Sequence, residues 1–289
     1  MTVIDATVPT AGTRVKRVAA LALGAALLSS LLVLSGCQQT KEDDAPDIPA
    51  GELYNQALKL MSEGKLRAAS ERFTLVEKQD PYTEWARKAL IMETFTKYRL
   101  GKFDDAIESG KRYVSLYPSS PDAAYAQYMV GQSYFKQIPD VTRDQDSTRQ
   151  AIAAMQEIVE RYPNSEYVDD AQKAIIFARD QLAGKEMQIG RYYLERREFT
   201  AAINRFKTVV TEYGNTRQVE EALYRLVSAY YAMGITSEAQ TAAAVLGHNF
   251  PDSPWYKDAY KLLQSGGLQP SVDKNSWIAK AFSKLVGAG

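Results

Sequence analysis

Cys37 carries the only thiol in this 289-residue sequence, and its surroundings point to covalent modification rather than to catalysis or metal binding. A single cysteine cannot close an intramolecular disulfide or supply a multi-cysteine zinc site. It follows a basic stretch at residues 14–17 and an uncharged apolar run at residues 18–34. That order, with small residues just before the cysteine, is typical of an export signal and its cleavage site.

The four residues 34–37, Leu-Ser-Gly-Cys, resemble the lipobox of bacterial lipoproteins, in which the cysteine is acylated and becomes the new amino terminus. One acyl chain binds a membrane only marginally, whereas several chains give a stable anchor. We therefore expect residues 1–36 to be a cleaved lipoprotein signal peptide and Cys37 to be the lipidation site. An uncleaved membrane anchor is the alternative, although the apolar run is at the lower limit of length for a span.

Residues 37–51 are expected to be a lipidated tether, because they are polar and contain Pro46 and Pro49. Such a tether would hold a folded body close to a membrane. The residue after Cys37 is Gln38, whereas an Asp there favours retention at the inner membrane in lipoproteins of this type. The resemblance to these lipoproteins therefore implies the periplasmic face of the outer membrane.

Two acidic pairs, Asp104-Asp105 and Asp169-Asp170, and the single histidine, His248, are the other candidates for acid–base chemistry. Each pair lies near a predicted helix start, where negative charge is favourable. We interpret the pairs as helix-start residues and the histidine as a packed or surface residue. The sequence has no nucleophile elbow, zinc-peptidase motif or phosphate loop. It therefore predicts no catalytic residue, metal site or cofactor, and no enzyme.

The charge balance argues against a nucleic-acid partner. Lys and Arg together number 35, and so do Asp and Glu. Residues 1–36 hold three basic residues and one acidic residue, so the remainder carries a net charge of −2. Nucleic-acid binding usually needs a strongly basic face, and the sequence offers no such excess.

The body of the sequence repeats one pattern of a small residue followed by a turn former. The turn former recurs at spacings of 37, 45, 51 and 37 residues: Pro81, Pro118, Pro163, Gly214 and Pro251. An alanine lies 12 residues before each turn former: Ala69, Ala106, Ala151, Ala202 and Ala239. Two helices cross closely where one side chain is small, and proline ends the second helix so that the chain can reverse.

This pattern resembles the tetratricopeptide repeat, a helix-turn-helix unit. It predicts an all-α tetratricopeptide-repeat solenoid of about five helix-turn-helix repeats over residues 52–263. The third repeat is stretched, because a polar insert lies between Phe135 and Ala151. We expect that insert to be a surface loop.

A C-terminal tail, residues 264–289, follows the predicted solenoid. A helix in this tail would place five apolar residues on one stripe: Trp277, Ile278, Ala281, Phe282 and Leu285. The tail helix could cap the solenoid, dock on another subunit or touch a membrane. Capping is favoured, because the terminal repeat of a solenoid needs its exposed face covered.

Several phrases of the sequence together resemble the BamD family of outer membrane lipoproteins. They are the lipobox, ELYNQAL at residues 52–58, DPYTEWARKA at 80–89, DQDSTRQA at 144–151 and RYYLERREFTAAINRF at 191–206. Many families share each tetratricopeptide feature, whereas the lipobox, the insert and the last phrase form a more specific combination. The resemblance covers residues 34–263.

The resemblance implies a lipid-anchored scaffold of the machinery that inserts β-barrel proteins into the outer membrane. The implied partners are the POTRA domains of BamA, other Bam lipoproteins and the C-terminal segments of unfolded barrel proteins. BamA is expected at the C-terminal repeats and the barrel segments at the N-terminal repeats.

The resemblance also implies two sets of binding residues. Arg205, Asn204 and Arg196 are expected to face BamA, with a solvated side chain as the alternative interpretation of Arg205. The expected substrate groove contains four aromatic residues, each of which could instead be repeat packing: Tyr54, Tyr82, Trp85 and Tyr98.

Two other functions remain as alternatives. A tetratricopeptide lipoprotein for pilus or secretin assembly would share the anchor and the repeats but would lack the long third-repeat insert. A cell-wall enzyme with a helical solenoid would need a catalytic domain, and the predicted repeats leave no room for one.

Overall fold

The computed structural model describes residues 48–286, with side chains up to Ser283. All regular secondary structure in this part of the chain is helical, so the all-α prediction is confirmed there. The described helices belong to one compact unit that begins at Pro49. The predicted signal peptide, Cys37 and the side chain of Leu285 lie outside the described residues.

Twelve helices lie within residues 48–286. They are α1 (Ala50–Ser62), α2 (Leu66–Gln79), α3 (Glu84–Arg99), α4 (Phe103–Leu116), α5 (Ala123–Lys136), α6 (Asp146–Arg161), α7 (Val168–Glu195), α8 (Phe199–Glu212), α9 (Val219–Ala232), α10 (Thr236–Asn249), α11 (Pro254–Ser265) and α12 (Trp277–Val286).

The first ten helices form five antiparallel pairs that stack in chain order. Each helix from α1 to α10 packs against the next one, and α1, α3, α5, α7 and α9 also contact one another in sequence. The odd-numbered helices therefore line the side of the stack where successive pairs come closest. We call this side the inner face. Stacks of helix pairs bind partners on such a surface.

The repeated alanines are the points where paired helices cross. All five, Ala69, Ala106, Ala151, Ala202 and Ala239, are fully buried. Short side chains at these positions let the partner helix approach closely, as the spacing predicts.

Three of the five internal turns use glycine in the left-handed conformation. Gly64, Gly101 and Gly234 have φ of 75°, 74° and 74°, and each follows the first helix of its pair. In the fourth pair Arg197 takes this place, with a φ of 60°. The left-handed conformation disfavours residues with a Cβ, so this turn stores strain that the glycine turns do not.

Helix α7 is 28 residues long, twice the length of most of its neighbours, and the repeat pattern does not predict this length. Its first half packs Ala171 and Ala174 against Met155 and Ile158 of α6. Its second half joins the core of the last two pairs through Met187. One unbroken helix therefore belongs to both the third and the fourth layers of the stack, which accounts for the 51-residue spacing.

The third-repeat insert folds back onto this long helix. Lys185 Nζ on α7 donates to the Thr142 carbonyl oxygen at 2.9 Å. Val141 lies beside Gly184, 3.5 Å from where a Cβ would be. The insert therefore covers α7 near its midpoint.

Helices α11 and α12, which follow the fifth helix pair, close the C-terminal end of the stack. Helix α11 packs on α9 and α10, and α12 packs on α8 and α10. Ile278 of α12 is fully buried. Trp277 Nε1 donates to the Tyr230 hydroxyl at 2.9 Å, and Ser276 Oγ donates to Glu238 Oε2 at 2.6 Å. The described part of the apolar stripe is thus used within the chain.

Gly190→Ala is expected to lower the denaturation midpoint. The added methyl group would lie 2.4 Å from Cε1 of Phe206, which is fully buried. Overpacking of this kind costs about 1–3 kcal/mol. Urea denaturation of the detergent-solubilised chain, followed by helical circular dichroism, measures the change.

Gly184→Ala is the matched control on the same helix. Its methyl group would meet Val141 at an ordinary contact distance of 3.5 Å. The higher helix propensity of alanine should keep or raise the midpoint. Equal midpoints for the two variants would contradict a tight crossing at Gly190.

Candidate protein-binding surfaces

Two of the predicted groove residues, Tyr54 and Trp85, meet on the inner face. Their ring centroids are 5.4 Å apart, and Tyr54 also lies 5.6 Å from the ring of Phe73. Gly51 permits this contact, because a Cβ there would lie 3.0 Å from the Trp85 ring. Trp85 keeps 38% of its surface exposed, and the Lys88 ammonium lies 5.2 Å from its ring centroid.

The other two predicted groove residues lie apart from this pair. Tyr82 stands in the loop between α2 and α3, 79% exposed and with a φ of 68°. Tyr98 packs against Phe103 within its own helix pair, with 5.7 Å between ring centroids. The structure therefore joins two of the four aromatic residues directly and leaves Tyr82 open to solvent.

Sequence reasoning missed a second aromatic cluster, made by Tyr125 and Tyr128 of α5 and by Tyr167. Tyr128 and Tyr167 stack at 4.7 Å, and Tyr125 lies 5.7 Å from Tyr167. Tyr125 and Tyr167 line a cleft of about 500 Å³ together with Asp122 and Glu166. The spacing on α5 was visible in the sequence, but the pairing with Tyr167 depends on how the third and fourth layers stack.

These tyrosines keep their protons at neutral pH. Burial, aided by a hydrogen bond to Glu166 and its charge, raises the pKa of Tyr167 to about 12. Burial also raises the pKa of Tyr125 and Tyr128. The Tyr167 hydroxyl donates to Glu166, whereas the protonated Tyr125 hydroxyl lies beside apolar rings, a combination suited to binding peptides.

Arg205 lies on α8 with its side chain 43% exposed. Its Nη1 donates to Glu186 Oε2 of α7 at 3.1 Å. Asn204, the preceding residue, is exposed. The ion pair between Arg205 and Glu186 leaves much of the guanidinium open to a second acceptor. Arg205 is therefore paired and still accessible.

Arg196 lies at the end of α7, away from the contact between Arg205 and α7. Its Nε donates to Glu198 Oε1 at 3.0 Å, and its Nη1 donates to the Tyr192 hydroxyl at 3.3 Å. Tyr192 is 55% exposed. Arg196 therefore belongs to a small exposed cluster at the turn between α7 and α8.

The acid–base candidates occupy structural positions. Asp104 and Asp105 lie in the first turn of α4, and Asp169 and Asp170 lie in the first turn of α7. His248 is exposed in the last turn of α10. In the part of the chain that the structure describes, no group of three or more His, Cys, Asp or Glu residues is placed to hold a metal ion.

None of the helices within residues 48–286 is long and apolar enough to cross a membrane.

In a comparison with protein families, residues 46–246 match the family described as YfiO, outer membrane lipoprotein. Among curated proteins, the chain is 45% identical over 225 residues to the outer membrane protein assembly factor BamD of Caulobacter vibrioides, covering 78% of this chain and 74% of that protein. It is 36% identical over 240 residues to BamD of Rickettsia prowazekii, covering 83% of this chain and 96% of that protein.

Among solved structures, the chain is similar to a thermophilic TPR protein of Thermus thermophilus. That match has a TM-score of 0.33 and 19% identity, and it covers 74% of this chain and 97% of the other.

Proposed function

The chain belongs to the BamD family of outer membrane lipoproteins, and from that membership we propose that it is a lipid-anchored periplasmic scaffold of the β-barrel assembly machinery. The observation that carries the proposal is the 45% identity to an outer membrane protein assembly factor over 78% of the chain. The chain serves outer membrane protein assembly and is not an enzyme. Its task is to hold partner proteins together near the membrane where barrels are inserted.

The first proposed contact is between the inner face and the C-terminal segments of unfolded barrel proteins. The half-buried Tyr54 and the exposed Trp85 offer a ring pair there, and Tyr82 is exposed nearby in sequence. Segments that end in aromatic residues can pack on such rings and receive hydrogen bonds from tyrosine hydroxyls. Tyr98 belongs to the same half of the stack.

The second proposed contact is between the fourth helix pair and a POTRA domain of BamA. Arg205 is the central residue, with Asn204 beside it and Arg196 at the adjoining turn. The existing pair of Arg205 with Glu186 is partly exposed, and pairs of this kind contribute about 0–1 kcal/mol. An acidic group of BamA can therefore join the guanidinium at little cost. Other Bam lipoproteins are further proposed partners.

The third proposed element is the anchor. Acyl chains on Cys37 would fix the protein to the periplasmic face of the outer membrane, and residues 38–49 would connect them to α1. Several chains give the stable attachment that one chain does not.

Trp85→Ala is expected to weaken binding of a synthetic peptide copied from the C-terminus of an outer-membrane barrel protein. Loss of one anchoring ring should cost about tenfold in affinity. Fluorescence anisotropy of the labelled peptide measures the dissociation constant.

Trp255→Ala is the control for this experiment. It removes an indole that stacks on Tyr224 at 5.3 Å at the other end of the stack. Peptide affinity should stay at the wild-type value in that variant. Equal losses of peptide affinity in both variants would show that the ring pair of Tyr54 and Trp85 is not part of the substrate site.

Arg205→Glu is expected to weaken capture of a POTRA-containing barrel by the tagged protein from native membranes. The reversed charge would repel an acidic partner, while helical circular dichroism should stay unchanged because the site is exposed. Capture is measured by gentle detergent pull-down and mass spectrometry.

Arg161→Glu is the matched control, since Arg161 is 48% exposed and pairs with Glu157 in its own helix. It should capture the barrel normally. Wild-type capture by Arg205→Glu would exclude Arg205 from the interface. Recovery of a secretin instead of a barrel by the wild-type protein would overturn the proposed function.

Cys37→Ser is expected to leave the signal peptide uncut and to abolish the acyl mass, because the hydroxyl does not replace the thiol as the attachment point. Intact-mass measurement of the membrane fraction reads out both changes. A variant that is matured and membrane-bound like the wild type would contradict lipidation at Cys37.

A further inference from the structure

The cleft of about 500 Å³ beside Tyr167 combines aromatic rings with negative charge. It lies where α5 and α7 begin, and we call it the acidic cleft. Tyr125 and Tyr167 supply its rings, and Asp122 and Glu166 supply its charges. The remaining lining residues are uncharged: Pro121, Ala124 and Ser165.

A partner can reach each of the four side chains that define the acidic cleft. Asp122 and Glu166 are exposed, and Tyr125 and Tyr167 are half-buried. The ring of Tyr167 is held in place by stacking on Tyr128, with 4.7 Å between the ring centroids. The cleft is therefore open to solvent and has a fixed aromatic wall.

Both carboxylates keep unused hydrogen-bond acceptor sites. Asp122 Oδ2 accepts from the Tyr113 hydroxyl at 3.3 Å, and Glu166 accepts from the Tyr167 hydroxyl. An ionised carboxylate has about four acceptor sites, so one hydrogen bond leaves most of them free. Neither Asp122 nor Glu166 takes part in an ion pair within residues 48–283.

Basic side chains near the acidic cleft do not neutralise it. Lys88 pairs with Glu84 at 2.7 Å, and Lys173 pairs with Asp170 at 3.4 Å. Arg87 of α3 lies nearby but forms no ion pair with either carboxylate of the cleft. The two negative charges of the cleft are therefore left for a cation from outside the described part of the chain.

The acidic cleft adjoins the ring pair of Tyr54 and Trp85. Burial raises the pKa of Tyr54, the charge of Lys88 opposes this effect, and the charge of Asp122 adds to it. Asp122 therefore lies close enough to Tyr54 for its charge to act there. An extended peptide advances about 3.3 Å per residue, so a short segment can contact the ring pair and the cleft together.

We propose that the acidic cleft is a second subsite for the barrel-protein segment, in which an arginine side chain packs on the ring of Tyr125 and donates to Asp122 and Glu166. This inference rests on the proposed function, because the occupant is the same segment whose aromatic end packs on Tyr54 and Trp85. Since that aromatic residue is terminal, the arginine stands a few residues before it.

Arginine fits the acidic cleft better than other occupants do. Its planar guanidinium stacks on aromatic faces and has five donors, enough to serve two carboxylates. An anion would be repelled by Asp122 and Glu166. A lone metal ion fits poorly, because the described residues supply no group of three metal-binding side chains here.

The test compares labelled peptides that differ only in one charge. A single arginine replaces, in turn, each of the residues that precede the terminal aromatic residue of a barrel-protein peptide with no other basic residue. The matched peptides carry citrulline, which has the same length and no charge. Fluorescence anisotropy with the full chain in detergent should show about tenfold tighter binding of arginine at one or two neighbouring positions.

Two variants link this arginine preference to the acidic cleft. Asp122→Asn and Glu166→Gln keep the side-chain shapes and remove one charge each. Each variant should reduce the tenfold preference to about threefold, because each removes one of two charged acceptors. The double variant should bind the arginine and citrulline peptides equally. A preference that persists in the double variant would overturn the assignment to this cleft.

Asp169→Asn is the matched control, since Asp169 is exposed in the first turn of α7 and does not line the cleft. It removes the same charge nearby and should keep the tenfold preference. A loss equal to that of Asp122→Asn would show general attraction to a negative surface and would overturn the subsite.

The same titrations distinguish failure of the subsite from failure of the proposed function. Equal affinities for arginine and citrulline at every position would overturn the subsite alone, if Trp85→Ala still weakened binding of both peptides. Absence of binding by every peptide to the wild-type chain would overturn both the subsite and the proposed substrate surface.

Discussion

Close approach between paired helices is the steric constraint on which the whole stack depends. Each pair closes at a fully buried alanine, and at several crossings a glycine meets a large side chain. Gly131 faces Met155, and Gly190 faces Phe206, with no space for a methyl group between them. Because these contacts fix the distance between helices, they also determine which side chains are exposed on the inner face and in the clefts between helices.

Much of this fold could be predicted from the sequence because the constraint is local and periodic. The spacing between Ala69 and Pro81 recurs in every pair, so one pattern identifies five crossings. The length of α7 could not be predicted in the same way. A longer helix and a longer loop both lengthen a repeat, and only packing against α6 and α8 distinguishes them.

The binding surfaces were harder to predict than the fold. The chemistry of Tyr54 and Trp85 predicts a role in binding, and the structure brings the two rings together because Gly51 leaves space for the indole. The cluster around Tyr167 was missed, because it joins residues from different layers.

The unbroken helix α7 has a consequence for how the chain loses structure. Stacked repeats generally unfold layer by layer from their ends, because each layer contacts only its neighbours. Here the third and fourth layers share a helix that spans about 42 Å, with the insert held against its midpoint by Lys185. Partial opening cannot begin at that junction without breaking backbone hydrogen bonds as well as side-chain contacts. The two halves of the protein therefore form one cooperative unit. A force applied by a partner at either end is transmitted along one continuous helix.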